Sequence, residues 1–258
     1  MNFIQAIILG AIEGLTEFLP ISSTAHLILT GELIRVPATD FTKTFEVVIQ
    51  LGAILAVVGL YIKKLFRWDN IKKLAVAFVP TAIIGFGLYK IIKGVFFENK
   101  LIIVLALIIG GLFLIIFEHY YKTKKKDAAP EQGIESISYA QCLIIGLCQS
   151  LAVVPGVSRA AATIIGGLAL GISRKAIVEF SFLLAVPTMV AASGYDLYKT
   201  GINFSGGEVQ LLILGFAVAF AVALLSVKSF IKYIQRYNFQ PFGVYRILIG
   251  LLFLWLLI

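Results

Sequence analysis

Charge is scarce in this chain. Asp, Glu, Lys and Arg supply 14% of its 258 residues and 60% are hydrophobic, whereas a soluble domain carries roughly 25% charged residues. That shortage excludes an ordinary soluble fold. Missing too is the roughly ten-residue apolar/polar alternation of a membrane barrel; the apolar runs are helix-length. The first residues lack a basic stretch, and Glu13 and Glu17 interrupt what would be a leader's apolar core. The segment therefore reads as part of the fold rather than as a signal peptide. Cysteine is confined to Cys142 and Cys148, six apart on one expected helix, where they face different ways and read as apolar packing residues. Nothing resembles a pore-lining ring. The net charge of +8 fits basic cytoplasmic loops of a membrane protein better than a nucleic-acid partner.

Six segments are long and apolar enough to span a bilayer, near 45–62, 74–92, 101–119, 177–197, 209–227 and 242–258. Lysine and arginine set their direction. The connection 63–73 carries Lys63, Lys64, Arg67, Lys72 and Lys73, and the connection 120–139 carries Lys122, Lys124, Lys125 and Lys126. Further basic stretches lie at Arg174-Lys175 and at Lys228, Lys232 and Arg236. The alternate connections hold few such residues, which puts the basic set in the cytoplasm and both termini outside.

Two apolar segments, 3–31 and 140–170, are broken by proline in the middle. If the six spans alternate, each must enter and leave on one side, as a re-entrant helix–break–helix hairpin. The two also resemble each other. With one gap, Glu13 falls on Gln149, Pro20 on Pro155, Ser23 on Ser158 and Gly31 on Gly166. Farther on, Phe45-Glu46 lies over Phe180-Ser181, and Gly110-Gly111 matches a Gly-Leu pair at Gly250-Leu251. The expected fold is an all-α integral membrane protein of six transmembrane helices plus two re-entrant hairpins, built as an inverted-topology repeat. Residues 1–121 form the first repeat, 122–138 a polar, flexible cytoplasmic linker and 139–258 the second repeat. Broken helices in such repeats point to a binding site near the midplane.

Ionisable residues within membrane segments are costly and usually functional. Glu13 and Glu17, four apart, share one helix face. Paired carboxylates suit a divalent cation with oxygen ligands, or a general base. After Pro20 come Ser22, Ser23 and Thr24, with His26 within the first turn of the second half-helix. Capping accounts for one of the three hydroxyls; a helix N-terminus also favours an anion. The second break, Pro155-Gly156-Val157-Ser158-Arg159, adds a hydroxyl and a guanidinium, whose planar fork grips phosphate oxygens. Thr163 lies one turn further on and can add a donor. Carboxylates, hydroxyls, histidine and arginine at two meeting tips read as phosphoryl chemistry on a lipid-borne phosphate. Glu46 and Gln50 form another polar pair on the first span, facing either this cavity or a neighbouring helix.

The run from Glu13 to His26 resembles the signature of undecaprenyl-diphosphate phosphatases, the bacitracin-resistance (BacA/UppP) family. So do Pro155-Gly156-Val157-Ser158-Arg159 and the run from Phe45 to Gly52. The likeness spans essentially the whole chain. It implies hydrolysis of undecaprenyl diphosphate to undecaprenyl phosphate and inorganic phosphate, which recycles the lipid carrier of peptidoglycan synthesis and confers bacitracin resistance. It also implies a divalent cation, Mg²⁺ or Ca²⁺, and functional roles at Glu13, Glu17, Ser23, His26 and Arg159. The chain departs from the family pattern at Ala25, where glycine is common, and at Ala160 and Ala161, where a serine and a glycine are common.

The expected protein is thus a multi-pass phosphatase of the bacterial cytoplasmic (inner) membrane with its site open to the periplasm or outside. Its partners are a polyprenyl diphosphate and membrane lipids, not nucleic acid, with room for a homodimer. Ser22, Thr24, Ser158, Arg159 and Thr163 would hold phosphate, and Glu13 and Glu17 the metal. Ser23 is the first choice of nucleophile, with His26 or Glu17 as base; water and His26 itself are the alternatives. The rival class is a polyprenyl-phosphate transporter or flippase, because inverted repeats with broken helices are a transporter architecture.

Overall fold

A computed structural model describes residues 1–96, 99–124, 133–200 and 205–257 of the chain. All regular structure among them is helical. The helices are α1 (Phe3–Thr16), α2 (Ser23–Leu33), α3 (Asp40–Leu65), α4 (Trp68–Gly87), α5 (Lys100–Lys124), α6 (Tyr139–Ser150), α7 (Arg159–Ala169), α8 (Arg174–Thr200), α9 (Gly206–Ile234) and α10 (Gln240–Leu257). Five of them, α3, α4, α5, α8 and α9, are long and apolar enough to cross a membrane. The sixth expected span, 242–258, forms α10, which is shorter over the described residues. The expected span 74–92 is interrupted: α4 ends at Gly87, and a short turn and a π-helix at Ile92–Phe96 follow. Gly85 and Gly87, poor helix formers, stand where α4 stops. Large apolar side chains such as Ile83, Phe86, Ile109, Leu248 and Trp255 are exposed, as a lipid-facing surface requires.

The two broken segments share their backbone devices. A capping box opens each one, Asn2 with Gln5 on α1 and Ser138 with Gln141 on α6. Each second helix starts at a serine with left-handed backbone, Ser22 (φ 71°) before α2 and Ser158 (φ 75°) before α7. Each then closes on a second left-handed residue, Arg35 (φ 54°) or Gly171 (φ 80°). The closing bonds also correspond, Val36 N–H to Gly31 O and Ile172 N–H to Gly167 O. These pairs all share one separation along the chain. The register therefore needs no gap here: Ser22, not Ser23, stands where Ser158 stands, and Gly31 matches Gly167 rather than Gly166.

Packing exchanges partners between the halves. Helix α1 lies on α9, and α6 lies on α4. Both contacts bring backbones together. A Cβ on Gly10 would sit 2.6 Å from the Gly215 carbonyl, and one on Gly146 would strike the Ala77 carbonyl. Helix α8 runs through the core, where Phe180, Phe182, Leu183 and Leu184 are fully buried.

The basic connections gather at one end of the bundle. Lys64 pairs with Glu179, Arg67 with Glu135, Lys73 with Asp69, and Arg174 with Glu118. The expected linker 122–138 lies partly outside the described residues. Its last part is anchored, not loose: Ile134 and Ile137 are buried, and Lys73 donates to the Glu135 carbonyl. Both cysteines are free, as their spacing implied.

Candidate active site

The two breaks meet. Pro20, without an N–H, follows α1, and Pro155-Gly156 follows α6. Gly156 has φ 98°, and a Cβ there would lie 2.5 Å from the Ile103 carbonyl on α5. Only glycine fits so tight a tip. The chain emerges from each turn through a left-handed serine. Such backbone costs about 1–3 kcal/mol for a non-glycine residue and clusters at functional sites.

Glu17 joins the two tips. Its Oε2 accepts the hydroxyl of Ser23, from its own hairpin. Its Oε1 accepts from Arg159 Nη2 at 3.1 Å, from the other hairpin. Arg159 also donates from Nη1 to the Ser181 carbonyl at 2.8 Å, while its Nε has no hydrogen-bond partner among the described residues. The Arg159 and Glu17 side chains are 9% and 5% exposed, so solvent screens this pair little. Phe18, packed edge-on against Phe182 at 5.4 Å, supports the guanidinium from beside the pair.

His26, in the first turn of α2, does not touch Ser23 through a hydrogen bond. Its Nδ1 lies 2.7 Å from the Ser22 carbonyl and its Nε2 lies 2.8 Å from the Tyr245 hydroxyl. Of the two candidate bases for Ser23, the one in place is Glu17. Thr24 is half-buried on the same turn. The Ser158 hydroxyl caps α7 by accepting the Ala161 N–H at 3.2 Å. Thr163, expected as a phosphate donor, is fully buried behind Arg159, with its hydroxyl on the Arg159 and Ala160 carbonyls and on Ser181 Oγ. Its geometry braces the arginine's helix turn. Ala25, Ala160 and Ala161 are all buried, with Ala25 packed among Ile103, Val104 and Leu107 and Ala160 in the main apolar core. At these positions the chain presents methyl groups to the interior.

Glu13 is fully buried, and among the described residues no donor group hydrogen-bonds either of its carboxylate oxygens. A buried carboxylate left alone is costly and calls for a proton or a cation. Glu17, Glu46 and Arg159 are within electrostatic reach of it. Hard divalent cations take oxygen ligands, and magnesium is commonly held by one or two carboxylates plus substrate phosphates. Glu13 and Glu17 fit that pattern. Among the described residues no group of three or more His, Cys, Asp or Glu forms a complete protein cage. On the second hairpin, Gln149 stands where Glu13 stands and donates to Thr81 and Thr188.

Sequence reasoning missed Arg246, Tyr245 and Ser181. Arg246 on α10 is fully buried. Its guanidinium donates to Pro20 O of the first tip at 3.2 Å and to Gly156 O and Val157 O of the second at 2.7 and 3.0 Å. It also reaches Ala106 O and Leu107 O on α5. Gly110 makes the room; any Cβ there would strike the guanidinium. The available signal was a lone charge in the apolar run 242–258.

The family model for bacitracin resistance protein BacA matches residues 6–252 of the chain. Undecaprenyl-diphosphatase of Sulfurihydrogenibium sp. (strain YO3AOP1) is 52% identical over 256 residues, 99% of this chain and 100% of that one. Those of Wolinella succinogenes and Aquifex aeolicus are 50% and 48% identical, over 258 and 250 residues. The matches cover 100% of this chain and 99% of the Wolinella protein, and 96% of both chains for Aquifex.

Proposed function

The chain belongs to the bacitracin resistance protein BacA family, and we propose from that premise how its paired tips work. It acts as an undecaprenyl-diphosphatase, splitting the phosphoanhydride of a polyprenyl diphosphate and recycling a lipid carrier. The names of its relatives favour this over the transporter reading. The observation that carries the mechanism is the single carboxylate of Glu17, bonded to Ser23 on one oxygen and Arg159 on the other.

Ser23 Oγ attacks the terminal phosphorus while its proton passes to Glu17. The bond to the bridging oxygen breaks, and undecaprenyl phosphate leaves as an anion. Water then attacks the phosphoserine. The incoming water displaces the Tyr245 hydroxyl from His26 Nε2, which takes the water's proton, and Ser23 Oγ leaves with the proton from Glu17. Arg159 turns its N–H groups, including the unpartnered Nε–H, to the phosphate oxygens. The amide groups opening α2 and α7, with Ser22, Thr24 and Ser158 beside them, favour negative charge there. Thr163 holds Arg159's turn in place. Glu13 and Glu17 would hold a divalent cation, which when bound would neutralise phosphate charge.

We further propose that the halves are inverted repeats, that α10 completes six spans beside the two re-entrant hairpins, and that the site opens to the outer face of the cytoplasmic membrane. The shared capping boxes, left-handed serines and exchanged packing support the repeat. The gathering of basic connections at one end supports the orientation. Purified protein in detergent, where transport has no meaning, should release inorganic phosphate from undecaprenyl diphosphate. Binding without release would refute the phosphatase reading.

A further inference from the structure

The imidazole of His26 is held at both nitrogens. Nδ1 faces the Ser22 carbonyl at 2.7 Å. A carbonyl only accepts, so Nδ1 carries a proton. In a neutral ring Nε2 then bears the lone pair, and the group 2.8 Å from it is the Tyr245 hydroxyl, which must donate. The two rings are parallel to within 5°, with centroids 5.5 Å apart. Ser22 alone leaves the ring free to swing about one contact. Two partners at opposite nitrogens leave one tautomer and one orientation.

The source of the second partner matters. Tyr245 comes from α10, more than two hundred residues away in sequence and next to Arg246. Neighbouring helix positions point in different directions, so the two side chains reach different parts of the first hairpin. Arg246 takes the Pro20 carbonyl, and Tyr245 takes the first turn of α2. The tip and its histidine are thus positioned from one helix. His26 is 6% exposed, while Tyr245 is 38% exposed.

We propose that Tyr245 is a positioning residue for the reaction: Ser22 fixes the Nδ1–H tautomer, and the Tyr245 hydroxyl holds the ring's orientation and keeps Nε2 unprotonated until the attacking water takes its place. The assignment rests on the phosphatase reading and deepens it. Tyr245 bonds neither phosphorus nor its leaving groups; it acts through the ring it orients, as outer partners of catalytic histidines do.

Tyr245→Phe removes the hydroxyl and keeps the ring, so the packing survives. The chain has two histidines, and His119 is exposed. A His119→Gln background with ¹⁵N-labelled histidine therefore reports on His26 alone. In that protein we expect Nδ1 protonated and Nε2 unprotonated but hydrogen-bonded. In Tyr245→Phe the Nε2 resonance should move toward that of a free ring nitrogen, and kcat for phosphate release should fall roughly tenfold, the scale of one lost hydrogen bond. A protonated Nε2 in the parent, or an Nε2 resonance that Tyr245→Phe leaves unmoved, would overturn the proposal. So would a shifted resonance with unchanged kcat, because the ring would then be held for no catalytic purpose. Failure of the parent protein to release phosphate would defeat the phosphatase reading separately, since the resonances are read without turnover.

Discussion

Replacing Arg246 with methionine tests whether the tips are held by a clamp or only by their own turns. The guanidinium serves five carbonyl oxygens. Two of them, Ala106 O and Leu107 O, lie inside α5, where helix bonding already occupies carbonyls. The other three belong to the tips. Orphaning each costs roughly 1–3 kcal/mol, or about 3–9 kcal/mol together before relaxation. Against this stands the removal of a buried charge whose partners in the structure are carbonyls, not a carboxylate. Desolvating such a charge costs several kcal/mol. The two effects oppose each other, so thermal stability should change little. Position should change more. The Glu17–Arg159 contact spans the two tips, and a misplacement of about 1 Å at a reacting centre can lower the rate roughly 100-fold. We expect Arg246→Met to keep its folded yield and unfolding temperature near those of the parent while kcat/KM for phosphate release falls about 100-fold. Arg246→Lys, with three donors for five acceptors, should fall between. Turnover within about threefold of the parent in Arg246→Met would refute the clamp.

Three further outcomes follow from the site. Arg159→Lys keeps the charge but loses the fork, and should cost about 2–4 kcal/mol in the transition state, a rate loss of roughly 10²–10³; near-parental turnover would make Arg159 structural. Glu13→Gln should raise the divalent cation concentration needed for half-maximal activity, because the unpartnered carboxylate is lost; an unchanged titration would remove Glu13 from the cation site. In a chain whose two native cysteines are replaced, an impermeant thiol reagent applied to intact cells should label Gly207→Cys but not Gly133→Cys; the reverse pattern would turn the site toward the cytoplasm.

The helix breaks were legible because proline interrupts apolar runs too long to be loops, and the structure breaks near Pro20 and Pro155. The meeting of Glu17, Ser23 and Arg159 was legible because polar groups have no cheap reason to stand in such runs. The register between the hairpins was not. Sequence matching laid proline over proline and so set Ser23 over Ser158. The backbone instead pairs the left-handed serines Ser22 and Ser158, a conformation that serine's identity does not advertise. Arg246 and Tyr245 were also hidden. Their helix reads as a simple span, and their partners are carbonyls and a ring nitrogen far away in sequence. Thr163 shows the opposite error: its spacing from Arg159 suggested a donor for phosphate, but the same spacing lets its hydroxyl bond back to Arg159 O.

The central claim is that Ser23, bonded to Glu17, attacks phosphorus. The stereochemical course of hydrolysis tests it most directly. A polyprenyl diphosphate made chiral at its terminal phosphorus with sulfur and oxygen isotopes yields inorganic thiophosphate whose configuration can be read. Attack by Ser23 followed by attack of water on the phosphoserine is two in-line displacements, and configuration is retained. Retention, together with loss of turnover but not of substrate binding in Ser23→Ala, is the predicted result. Inversion would mean a single displacement by water and would contradict a covalent role for Ser23.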